Sequence, residues 1–81
     1  MQKIDQIIQA GIVFRAGKVF PRWFVWEGRK YNVLEINYTW EDHEGIERLH
    51  CFSVTDGANC YELSFNSKRM IWKLNKIYSG V

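Results

Sequence analysis

A chain of 81 residues is long enough for one small domain, and its thirteen aromatic residues can give that domain a dense core. The formal net charge is only +2, and no stretch has the apolar run of a signal peptide or the length of a bilayer span, so we do not expect a secreted or membrane-spanning protein. Two cysteines are too few for a disulfide scaffold, and we expect a single cytoplasmic β domain over residues 1–81.

The first part of the chain predicts a strand followed by a turn. Residues 8–14 alternate in the way expected of a strand with one buried face. Residues 1–8 remain ambiguous between helix, strand and disorder, because their isoleucines also fit the stripe of a short helix. Ala16 and Gly17 predict a turn. Pro21, which has no backbone N–H, is expected at a strand start, an edge or a bulge.

A tight β-hairpin is predicted around Glu27 and Gly28, because aromatic and β-branched runs flank this pair. The strand after the turn is predicted to be the longest and to extend from Arg29 to Trp40. Its apolar phase changes in the middle. Tyr31 and Val33 share one face, whereas the other face carries Leu34, Ile36, Tyr38 and Trp40. We therefore expect a bulge or sharp bend near residues 33 and 34. Residues 41–45 are expected to form an acidic loop.

The second half of the chain predicts three more strands, at residues 46–55, 60–65 and 70–78. They are separated by turns at Asp56 and Gly57, which residues 58–59 can lengthen, and at residues 66–68. The elements together predict an all-β fold of five or six strands in an antiparallel meander. Its sheet is expected to be strongly bent or to form a small SH3-like barrel.

No group of residues predicts catalysis or a metal centre. His50 and Cys51 are adjacent, so in a strand they point to opposite faces and cannot readily bind one ion or form a nucleophilic pair. Glu41, Asp42 and Glu44 fall in the predicted acidic loop, whereas acid–base catalysis needs carboxyl groups held rigidly in contrasting environments. We expect no catalytic residue, no metal and no cofactor.

Charge is segregated along the chain, with net charges of +4 over residues 15–30, −5 over residues 31–47 and +3 over residues 62–81. Aromatic residues are interleaved with the first basic block, as in small barrels that stack the bases of single-stranded nucleic acid. Residues 23 and 26 lie on opposite faces of a strand, so one tryptophan should point outward, where it could equally anchor a protein partner. The candidate binding surface consists of Arg22, Trp23, Trp26, Arg29, Lys30, Tyr31, Lys68 and Lys73.

The run from Phe24 to Val33, followed by Trp40, Phe52–Val54, Tyr61–Leu63 and Trp72–Leu74, resembles an uncharacterised family of small bacterial all-β domains with a W-x-G-R-x-Y-x-V hairpin. The resemblance covers residues 12–78. It implies a bacterial domain of unknown function without assigned catalytic residues. We therefore expect a non-enzymatic binding or accessory module that mediates protein interaction or self-association as a homodimer. The alternative is a small β-barrel that binds single-stranded nucleic acid.

Overall fold

Seven β-strands form one antiparallel sheet in the computed structural model, which describes residues 1–79. Across the sheet their order is β3-β2-β1-β7-β6-β5-β4. The predicted all-β class is confirmed, but the strand number is seven rather than five or six. The strands are β1 (Gln2–Arg15), β2 (Lys18–Trp26), β3 (Arg29–Asn32), β4 (Glu35–Glu44), β5 (Glu47–Thr55), β6 (Asn59–Asn66) and β7 (Ile71–Ser79).

The extra strand arises because the predicted strand over residues 29–40 is interrupted at Val33 and Leu34, where the phase change predicted a bend. The backbone N–H of Val33 donates to the carbonyl of Arg22 in β2 at 2.9 Å. The next N–H, of Leu34, donates to the carbonyl of Thr55 in β5 at 2.8 Å. These two residues therefore connect β3 and β4, the two end strands of the sheet. The sheet is therefore curled, because its two end strands are consecutive in the chain.

Beyond this junction, β2 and β4 diverge and leave the curled sheet open on one side. Residues 18–21 of β2 pair only with β1, and β4 pairs only with β5, among the residues that the structure describes. Pro21 lies beside a β-bulge between Gly11 and Ile12, in agreement with its missing N–H. Two strand edges thus face the opening without ladder partners.

The ambiguous first residues belong to β1, which is the longest strand in place of the predicted segment 29–40. Residues 2–8 pair with β7, and residues 9–15 pair with β2. Asp5 has a positive φ of 52° where the β1–β7 register shifts, between Lys3 and Gln6. This irregularity breaks the period-two pattern, and for that reason the isoleucines at the start of the chain also fit a helix.

The predicted acidic loop over residues 41–45 is wrong, because β4 continues to Glu44 and only Gly45 and Ile46 form the turn. Glu41 lies 3.8 Å from the Arg48 guanidinium and 3.9 Å from the His50 ring on β5. Such cross-strand partners allow an acidic segment to remain extended.

Two hairpin turns form as predicted, at Ala16 and Gly17 and at Glu27 and Gly28. All four residues have positive φ, as the two-residue type I′ turn requires. The turn before β7 is longer than predicted, since it extends over residues 67–70.

The core lies on the inner side of the curled sheet. Trp72 packs between Phe65 and Phe52, with ring centroids 4.8 and 5.5 Å away. Phe24 brings β2 into the same core and meets Tyr61 edge to face at 5.1 Å. The buried cluster consists of Ile8, Phe24, Phe52, Val54, Tyr61, Leu63, Phe65, Trp72 and Leu74.

Candidate functional site

Two aromatic residues of the predicted binding surface, Trp26 and Tyr31, contribute to the core instead. Trp26 packs against the buried cluster, and its Nε1–H donates to Oε1 of Gln6 at 2.9 Å. Tyr31 stacks on Phe24 with 5.2 Å between ring centroids, and the Arg29 guanidinium lies 5.8 Å from its ring. Both rings are half-buried and already occupied by contacts within the chain.

Trp23 lies on the opposite face of β2 from Trp26, as strand alternation predicts. Its partner across the β1–β2 pair is Gly11, and the indole covers this glycine so closely that a β-carbon there would overlap the ring. The ammonium of Lys30 is 5.0 Å from the indole centroid. Trp23 is therefore half-buried between a backbone surface and a cation.

The two predicted lysines outside the hairpin lie elsewhere in the sheet. The Lys73 ammonium on β7 is 3.7 Å from a carboxylate oxygen of Glu44. Lys68 is in the β6–β7 turn, where its backbone N–H donates to Oδ1 of Asn66 at 3.1 Å. Because β1 and β2 separate β7 from β3, the candidate residues do not form one continuous cluster.

The opening between β2 and β4 is a groove of about 460 Å³. Residues 17–20 form one wall, and residues 39–41 of β4 form the other. Val19, Phe20, Phe52 and Phe65 make much of its lining apolar. Sequence reasoning missed this site, because its two walls are about twenty residues apart in the chain and each one is an ordinary strand.

The directions of the side chains along β4 differ from those predicted from the sequence. A register shift between Ile36 and Tyr38 places Ile36 toward the core and turns Tyr38 and Trp40 to the outer face. Their rings lie 5.6 Å apart, and Tyr38 is 66% exposed. We name the outward-facing residues of β4 the β4 outer face; they pair with every second residue of β5 from Glu47 to Thr55. It consists of Glu35, Tyr38, Trp40, Asp42 and Glu44.

A second, larger depression of about 610 Å³ lies over β6 and β7. Charges of both signs line it, and Glu44 and Lys73 contact each other there.

The clearest pKa shifts belong to groups that support the fold. Burial raises the pKa of the Cys51 thiol to about 11, and the carboxylates of Asp42 and Glu62 add to this effect. Burial also raises the pKa of Tyr61 to about 12, and its hydroxyl donates to Oδ2 of Asp56 at 2.8 Å. Cys51 is thus held as a neutral thiol, the poorly nucleophilic form, at neutral pH.

Asp56 organises the turn between β5 and β6. Burial opposes ionisation of its carboxyl group, but hydrogen bonds from the backbone N–H groups of Asn59 and Ala58 and from the Tyr61 hydroxyl outweigh burial. They hold the pKa of Asp56 below its ordinary value. This carboxylate therefore acts as a turn acceptor.

Within residues 1–79, no three His, Cys, Asp or Glu side chains come together in a way that could hold a metal ion. The same part of the chain has no helix long and apolar enough to cross a membrane. Comparisons of the chain with protein-family models, with curated proteins and with solved structures found no match. The resemblance to W-x-G-R-x-Y-x-V domains therefore stays a prediction.

Proposed function

We propose that this protein is a non-enzymatic, cytoplasmic binding module that takes up an extended polypeptide segment by strand addition to β4. The observation that carries the proposal is the edge of β4 that does not pair with β5. This unpaired edge faces residues 18–21 of β2 across an apolar groove. An unpaired strand edge offers a row of N–H and C=O groups to an incoming strand.

The two components of such an interaction are both available at this edge. Hydrogen bonds to the β4 backbone would supply affinity, and side chains on one face of the added strand would enter the groove beside Phe20, Phe52 and Phe65. In this proposal the sheet is an SH3-like barrel that lacks one strand, and the partner supplies it.

Self-association through two copies of β4 is less favourable. Residues 35–44 contain four carboxylates and no lysine or arginine. Pairing this edge with itself would bring like charges together across the strands, which is destabilising.

Binding of single-stranded nucleic acid remains the second candidate, supported by Lys30 beside Trp23 and by Arg29 beside Tyr31. It ranks lower because Trp26 and Tyr31 pack against the core and Trp23 already contacts Gly11 and Lys30. Base stacking would require these rings to leave their present contacts.

The test is selection of linear twelve-residue peptides on the full chain, followed by hydrogen exchange of the complex with a selected peptide. We expect slower exchange of β4 amides and weaker binding by the Phe20→Ser variant. Phe14→Ser is the matched control, since Phe14 is 68% exposed and does not line the groove. Slower exchange confined to the β2–β3 hairpin, or equal loss of binding in both variants, would contradict strand addition to β4.

A further inference from the structure

We infer that the segment added to β4 carries cationic side chains at alternate positions and apolar side chains between them. This inference rests on the proposed strand addition and names the chemistry of the partner. It follows from the difference between the two faces that β4 presents along its free edge.

The β4 outer face is acidic and incompletely neutralised. Glu35, Asp42 and Glu44 lie on it, and Glu44 contacts Lys73 at 3.7 Å. An Asp42 oxygen accepts the neighbouring backbone N–H of His43 at 2.8 Å. Within residues 1–79, neither Glu35 nor Asp42 has a salt-bridge partner, so both carboxylates are available to a cation from outside the chain.

Two aromatic rings lie between these carboxylates. Tyr38 and Trp40 occupy successive outward positions, with ring centroids 5.6 Å apart. A guanidinium or ammonium group gains from the face of an aromatic ring and from a nearby carboxylate. Outward positions repeat about every 6.6–6.8 Å along a strand, so cations at every second residue of an added strand would match this row.

The other face of the same added strand would point toward the groove. Thr39 lies opposite Phe52 on the core side of β4, and Phe20 and Phe65 contribute apolar surface to the same groove. Apolar side chains at the intervening positions of the added strand would therefore be buried in the groove, which favours binding. The alternation of the partner follows from the two-residue period of a strand.

The negative charge of the β4 edge also disfavours other occupants. Phosphates of a nucleic acid would meet Glu35 and Asp42, and a second β4 would bring four more carboxylates. The basic residues near the β1–β2 turn of a second copy are the remaining competitor, and the experiment therefore includes the oligomeric state.

The experiment uses four fluorescein-labelled ten-residue peptides and the full chain, with affinity measured by fluorescence anisotropy. Three alternate valine with arginine, glutamine or glutamate, and the fourth contains five arginines followed by five valines. We expect the alternating arginine peptide to bind at least tenfold more tightly than the glutamine peptide and to lose affinity in high salt. The glutamate and block peptides should bind more weakly still.

Variants locate the contact on β4. Glu35→Gln and Asp42→Asn should each lower the affinity for the alternating arginine peptide about three- to fivefold at low salt, which is the range of exposed charge pairs. Glu27→Gln, an exposed acid in the β2–β3 turn, is the matched control and should leave affinity unchanged. N-methylation of alternate residues in one register should abolish binding, because it removes the N–H groups that pair with β4.

The outcomes separate this inference from the function on which it rests. Equal affinity for arginine and glutamine peptides, with sensitivity to N-methylation, would overturn the cationic partner and leave strand addition standing. Equal affinity for the block peptide would overturn the alternation. Failure of all four peptides would contradict the proposed function as well. A dimer in sedimentation velocity that Glu35→Gln dissociates would assign the edge to a second copy and overturn the inference.

Discussion

Trp23 lies directly on Gly11, its partner across the β1–β2 pair, so that the indole occupies the space of a β-carbon at position 11. This contact covers a glycine in the interior of a strand, where the missing side chain would otherwise leave backbone exposed. It also explains why the outward tryptophan of the hairpin is half-buried.

The first prediction concerns this pair. Gly11→Ala should lower the free energy of unfolding by about 1–3 kcal/mol, because the methyl group forces the indole away. In a Trp23→Ala background the same change should be neutral or slightly stabilising, since alanine restricts the unfolded chain. Urea denaturation of the four proteins measures the coupling. An equal cost of Gly11→Ala in both backgrounds would show that the overlap is not the cause.

The second prediction compares two phenylalanines of opposite exposure. Phe24 is fully buried, and Phe24→Ala should cost about 3–5 kcal/mol, a large part of the stability of so small a domain. Phe24→Leu keeps most of the volume and should cost less, so that a folded variant can be measured. Phe14→Ala, at a site 68% exposed, should change stability by at most about 0.5 kcal/mol. Similar losses at positions 14 and 24 in thermal unfolding would refute the burial assignment.

The third prediction concerns the turn of the β2–β3 hairpin. Glu27 has a φ of 49°, a left-handed conformation that asparagine adopts more easily than glutamate. Glu27→Asn should therefore raise the free energy of unfolding by about 0.5–1 kcal/mol. Glu27→Gln separates the loss of charge from the change in backbone preference and should give little gain. A stabilisation of the same size by glutamine would assign the effect to charge.

The fourth prediction concerns alkaline pH. Burial raises the pKa of Cys51 from 9.0 to about 11, so between these values the folded protein retains a proton that the unfolded chain has released. The contribution of Cys51 to stability is complete below pH 9 and is lost as pH rises through 11. Cys51→Ala should show a smaller loss of stability over this interval in urea denaturation. The Tyr61 shift acts above pH 10 in both proteins, so identical pH profiles would contradict the role of Cys51.

Much of the fold was predictable because it depends on short-range signals. The turns at Glu27 and Ala16 are decided by the residues beside them, since a following glycine accepts positive φ and the flanking runs favour strands. The inward residues of β6, such as Leu63 and Phe65, follow from strict alternation. The break at Val33 and Leu34 was visible as a change of phase.

The candidate site was less predictable. The sequence pattern placed Tyr38 and Trp40 on the same face as Ile36, but the register shift separates them. It also assigned Trp26 and Tyr31 to a binding surface, whereas both pack against the core. An aromatic pattern carries no information about which of its members the core will need.

By its own pattern, the sequence determined an all-β domain, its hairpin turns and the alternation of its strands, because these depend on neighbours a few residues apart. Only the tertiary structure decided that β3 and β4 form the two ends of one curled sheet and that a groove remains between β2 and β4. Those features depend on hydrogen bonds such as Val33 to Arg22 and Leu34 to Thr55, which join residues 11 and 21 positions apart. Such pairings are chosen by how the whole core packs, and no local pattern specifies them.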